Sequence, residues 1–158
     1  MAGKKVVSVT FQTMTDILRF AIEREEEAAR SYAELAQKAG RSGLQTLLLE
    51  LRAEEVHHKK LLQEVVAGKG AALPGRDVPD LKISDYLIEE PLDAGSHIQD
   101  LLIFAARKEA KAAALYARLL SESSAPEHKS LFQFLVQEEK KHKLKLEQEY
   151  EQQVLQED

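Results

Sequence analysis

The sequence predicts an all-α protein, an antiparallel four-helix bundle made of two helical hairpins joined by a long crossover. Three observations predict it. The 158 residues hold only four prolines and seven glycines, and long stretches are rich in Ala, Leu, Glu, Lys, Gln and Arg, which lose little entropy in a helix. Four helix-start signatures punctuate the chain at Thr13/Asp16, Ser42/Gln45, Ser96/Gln99 and Ser124/Glu127. Finally, the sequence matches itself when shifted by 84 residues.

The elements follow in order. A first helix over about 15–39 begins at the Thr13 to Asp16 signature, and Gly40 with Gly43 separates it from a second over about 43–67. A third spans about 97–121 and a fourth about 125–155. The first and third connections are a few residues long, so each adjacent pair forms an antiparallel hairpin. Residues 68–95 hold three of the four prolines and are long enough to run the length of a bundle. Such a crossover makes the second and third helices parallel. The whole chain, 1–158, reads as a single domain.

Composition narrows the function. The net charge of -5 is modest and the basic residues are interspersed with acidic ones, which leaves no positive stripe for nucleic acid. No apolar run approaches the length of a membrane span, and the start MAGKKVVSV lacks the apolar core of a signal peptide, so a cytoplasmic protein is expected. Without cysteine, any metal must be held by oxygen and imidazole nitrogen.

The repeat selects the chemically interesting residues. In AEEVHHKK, residues 53–60, Glu54/His57 and Glu55/His58 are overlapping copies of one pattern. The shift by 84 aligns Glu55 and His58 with Glu139 and His142, whereas His57 falls on Lys141. Leu44, Leu48, Leu51, Glu55, His58, Leu62 and Val65 step by three and four, which places the Glu55/His58 pair inside an apolar stripe. The acidic run EREEE in the first helix is resolved in the same way, because Glu109 aligns with Glu25. Four helices thus turn Glu25, Glu55, Glu109 and Glu139 toward one core, and two add His58 and His142 one turn on. A rise of about 1.5 Å per residue separates an i, i+3 pair by roughly 4.5 Å on one face, so both side chains can reach one ion. Four buried carboxylates without compensation cost several kcal/mol each or become protonated, and two divalent cations balance them in formal charge. One Glu from each of two helices and Glu-x-x-His from the other two is the donor set of dimetal carboxylate bundles.

On these residues the sequence resembles the rubrerythrin and ferritin-like diiron family. AIEREEEAARSYAELA is similar to its first helix, LRAEEVHHKKLL to its second, FAARKEAKAAALYARLL to its third and FLVQEEKKHKLKL to its fourth. The resemblance covers nearly the whole chain and implies a ferritin-like fold. It makes Glu25 and Glu109 terminal ligands, Glu55 and Glu139 bridging ligands, and His58 and His142 one nitrogen ligand per metal. Tyr32 and Tyr116 become hydrogen-bond donors to ligand carboxylates, the alternative being core aromatics bonded to backbone or water. Two departures stand out. There is no cysteine-rich rubredoxin module, so an external electron donor is expected, and Ala112 occupies the place of a further carboxylate after the third-helix Glu.

The leading expectation is a diiron oxidoreductase that activates O2 or peroxide. The alternatives are iron binding, storage or delivery without turnover, and a structural or sensing bundle with an empty site. Two iron ions are expected, although oxygen and imidazole ligands also accept manganese or a mixed pair. The resemblance, together with a fourth helix of about 30 residues or roughly 45 Å, suggests a homodimer. His57, His97 and His128 are expected to be solvated or capping residues.

Overall fold

The computed structural model describes residues 13–40, 42–68 and 97–157. These form four helices: α1 (Met14–Ala39), α2 (Ser42–Val66), α3 (Ile98–Glu122) and α4 (Pro126–Glu157). The described residues contain no strand. No helix is long and apolar enough to cross a membrane among them. The expected crossover lies outside the described residues from 69 onward.

Local chemistry accounts for the helix ends. Thr13 is extended, and its side-chain oxygen accepts a 3.1 Å hydrogen bond from the Asp16 amide, which starts α1. Gly40 stops α1 in the left-handed region at φ 57°, and its amide donates to the Ala36 carbonyl. That carbonyl also accepts from Gln45 Nε2 at 3.2 Å, so this glutamine of α2 ties the hairpin to the end of α1. The start of α3 differs from the Ser96 reading: His97 is the cap, its ring Nδ1 accepting from the Gln99 amide at 3.2 Å, while Ser96 is outside the described residues. The start of α4 differs too. Ala125 accepts the first helical bond, from the Lys129 amide, and Pro126 takes the first helical position, where its fixed φ and missing N–H cost nothing. Ser124 therefore lies one residue too early to cap.

Helix α1 packs along α2 and α3 along α4, and the hairpins meet through α1 with α3 and α2 with α4. Two apolar layers give the directions. One joins Ile17 and Leu18 at the start of α1 to Leu62 late in α2, Leu115 and Leu119 late in α3, and Phe132 and Leu135 early in α4. The other joins Leu35 late in α1 to Leu44 and Leu48 early in α2, Leu102 early in α3 and Leu146 late in α4. The second and third helices are therefore parallel, as a ferritin-like bundle requires. Between the layers lies a polar slab.

Candidate metal centre

The slab consists of the six residues that the repeat selects. Glu25 of α1, Glu55 and His58 of α2, Glu109 of α3, and Glu139 and His142 of α4 are at most 3% exposed. Each sits in the buried stripe of its helix because it falls in register with leucines or alanines three or four residues away. The stripe exposes the same face to the bundle axis whether its residues are apolar or charged.

The geometry has a twofold character. His58 Nδ1 lies 3.6 Å from Glu25, 3.2 Å from Glu55 and 3.5 Å from Glu139. His142 Nδ1 lies 3.0 Å from Glu109, 3.2 Å from Glu55 and 3.4 Å from Glu139. Two donor groups result: Glu25, Glu55, His58 and Glu139, and Glu55, Glu109, Glu139 and His142, the ligand atoms of each lying within 4.8 Å of one another. Glu55 and Glu139 belong to both. The imidazoles stack face to face, with ring centroids 5.6 Å apart.

Burial and mutual repulsion dominate the electrostatics. Burial, reinforced by the Glu139 charge, raises both Glu25 and Glu109 from 4.5 to about 7. Burial and the neighbouring carboxylates Glu109, Glu139 and Glu25 push Glu55 well above its ordinary value. Burial acts in the same direction on Glu139, yet the imidazoles of His142 and His58, 3.4 and 3.5 Å away, outweigh it and bring this carboxyl down to about 2. Burial alone would depress His58, but Glu139, Glu25 and Glu55 overcome it and raise the imidazole to about 12. His142 is raised in the same manner by Glu109, Glu139 and Glu55 against burial. Protons thus carry the compensating positive charge in the slab.

The donors fit a pair of divalent ions better than they fit one another. Glu25 Oε1, Glu55 Oε1, Glu139 Oε1 and both His58 nitrogens are buried without a hydrogen-bond partner. Polar atoms in a folded interior are almost always paired, so several orphans facing one space indicate a group that binds there. Oxygen and imidazole donors suit Fe, Mn or Zn.

Each outer carboxylate is held from the opposite hairpin. Tyr32 of α1 donates a 2.5 Å hydrogen bond to Glu109 of α3, and Tyr116 of α3 donates a 2.5 Å hydrogen bond to Glu25 of α1. Burial first, and then Glu109 and Glu25 respectively, raise both phenols well above 10.0, so they remain donors.

The rubrerythrin family model matches residues 16–150 of this chain. The chain belongs to the rubrerythrin family. A solved structure described as a hypothetical protein from Pyrococcus furiosus is 29% identical, with a TM-score of 0.67 and 87% of each chain covered. No curated protein matches. As a rubrerythrin-family bundle the chain is expected to carry a dinuclear metal centre, and its buried carboxylate and histidine groups could hold one.

Ala112 lines a cavity of about 30 Å³ between α1 and α3, beside Glu25, Glu109, Ala28, Ser31 and Ala105. The space takes one or two water-sized molecules.

Three residues were missed or misplaced by sequence reasoning. His128, expected to be solvated or capping, is 2% exposed, with its ring 6.5 Å from that of Phe132. Position 128 lies in the same stripe as Phe132, Leu135, Glu139 and His142, a spacing that was available to be read. His57 is exposed, as expected. Glu54 and Glu138 were passed over in favour of Glu55 and Glu139. Glu54 nevertheless lies 2.6 Å from His142 Nε2, and Glu138 lies 3.6 Å from His58 Nε2. Their signal was the doubled glutamate that survives the 84-residue shift.

Proposed function

We propose that these six residues hold a di-iron centre and that the protein is an oxidoreductase that reduces O2 or hydrogen peroxide. The observation that carries the reading is the pair of donor groups sharing Glu55 and Glu139, with their inward atoms otherwise unpaired. A di-iron(II) pair held there would supply two electrons, enough to take O2 to hydrogen peroxide, or hydrogen peroxide to two waters, with two protons from solvent. Glu25 and Glu109 would each hold one ion, His58 and His142 would supply one nitrogen apiece, and Glu55 and Glu139, common to both donor groups, would be shared. Tyr32 and Tyr116 fix the terminal carboxylates in orientation. The small cavity at Ala112 is of a size to hold an oxidant with two heavy atoms, as O2 and hydrogen peroxide have. An external reductant resets the centre between turnovers.

The test is anaerobic loading with two equivalents of Fe(II), followed by O2 or hydrogen peroxide and stopped-flow absorbance. Iron oxidation should outrun buffer by at least tenfold, and Glu55→Ala should abolish the difference. Oxidation no faster than in buffer would end the oxidoreductase reading. A single round that no reductant can repeat would favour iron binding or storage.

A further inference from the structure

The internal repeat makes the two metal positions equivalent in sequence, yet the structure makes their histidines unequal. For an imidazole to present Nδ1 to a metal, its proton must sit on Nε2, and an acceptor at Nε2 orients the ring and raises its basicity. His142 has such an acceptor. Its Nε2 lies 2.6 Å from Glu54 Oε1, across the α2/α4 contact. The repeat-related contact, from His58 Nε2 to Glu138 Oε1, is 3.6 Å long and is not a hydrogen bond. The reason lies one turn along α4. Lys141 Nζ binds the other oxygen of Glu138 at 3.3 Å, whereas the repeat places His57, not a lysine, one turn after Glu54. Glu138 is drawn toward its own helix and away from His58, whose buried Nε2 is left without a partner.

We propose that Glu54 and Lys141 make the two metal positions unequal: the one at His142 fills first and holds its ion, and the one at His58 fills second and exchanges. Glu54 is a positioning residue, acting on the metal through the His142 ring. Lys141 acts by withholding Glu138 from the equivalent role. Glu54, Glu138 and His142 also lie within 4.8 Å of one another, as a third cation site would require. With His142 Nδ1 turned inward, however, Nε2 carries a proton and serves as a donor to Glu54, which makes the cluster a brace for the ring.

The inference rests on the reading that the six residues hold two ions, and one titration separates the two claims. Anaerobic Co(II) is added to the full chain in the presence of a competing chelator, and the visible absorption is followed. Two ions should bind in steps whose dissociation constants differ by about tenfold or more, the usual effect of losing an outer partner of a histidine ligand. Lys141 is 66% exposed at its side chain, so Lys141→Gln leaves the fold intact; it should free Glu138 for His58 and narrow the gap by tightening the weaker step. Glu54→Gln should weaken the tighter step by about tenfold or more. Glu50→Gln, exposed on the same helix, should change neither. Equal steps in the unmodified protein, or an unchanged gap in Lys141→Gln, would overturn the inequality while leaving the two-ion reading in place. No uptake of Co(II) would overturn both.

Discussion

At the scale of single residues, the centre depends on side chains that do not bind metal in the proposed reading. Each tyrosine hydroxyl satisfies a buried carboxylate oxygen of the opposite hairpin. Tyr116→Phe removes the donor to Glu25 Oε2, whereas Tyr32→Phe leaves Glu109 Oε2 with His142 Nδ1 at 3.0 Å. Tyr116→Phe is expected to destabilise the metal-free fold by about 1–3 kcal/mol, the cost of an unsatisfied buried polar group, and Tyr32→Phe by less. Urea unfolding of both variants checks this; an equal cost from both would show that the His142 contact does not replace the lost hydroxyl. Sequence reasoning named these tyrosines and their carboxylate chemistry, but not the crossing from one hairpin to the other. A repeat states which positions are equivalent, and contacts between helices depend on how the copies are docked. The same limit hid the Glu54–His142 contact, since 88 residues separate the two.

At the scale of elements, helix register was the most legible feature and helix termini the least. The stripe through Leu44, Leu48, Leu51, Glu55, His58 and Leu62 is buried, and Val65 at its end is half-buried. A 3.6-residue period survives from sequence to structure because it is local. The termini depend on competition among adjacent polar residues, and a proline at 126 decided one of them. Where a cap is set by backbone conformation alone, its cost can be estimated. An added Cβ at Gly40 meets nothing within 4 Å, so Gly40→Ala should cost about 1–2 kcal/mol from the left-handed φ of 57° alone. Thermal unfolding would read this; no change would mean that the α1–α2 turn relaxes. The apolar layers are less forgiving. Leu48→Ala and Leu119→Ala each empty a fully buried site in a different layer, with an expected loss of about 2–5 kcal/mol. Comparable losses from both are required if the layers share the clamping of the slab equally.

At the scale of the whole molecule, the bundle holds at its centre a charge distribution that protons balance only over part of the pH range. Glu25 and Glu109 titrate near 7 when folded against 4.5 ordinarily, so their stabilising protonation is complete below about pH 4.5 and lost as pH rises through 7. His58, raised from 6.5 to about 12, contributes stability below pH 6.5 that is lost as pH rises through 12. Glu139, lowered from 4.5 to about 2, acts in the opposite direction, with stability present above pH 4.5 and lost as pH falls through 2. The metal-free protein should therefore melt at its highest temperature near pH 5 and at a lower one at pH 8. Metal ions bound as proposed would replace these protons, so loading should release protons and stabilise more at pH 8 than at pH 5. Calorimetry at the two pH values, with and without two equivalents of Co(II), checks both signs.

Whether Glu25, Glu55, His58, Glu109, Glu139 and His142 hold two metal ions is read from anomalous diffraction at the iron edge, on crystals of the Fe(II)-loaded protein. Two peaks about 3.5–4 Å apart are expected, one beside each histidine and both within reach of Glu55 and Glu139. A slab that stays free of iron at saturating Fe(II), or peaks only at other residues, would contradict the two-ion reading.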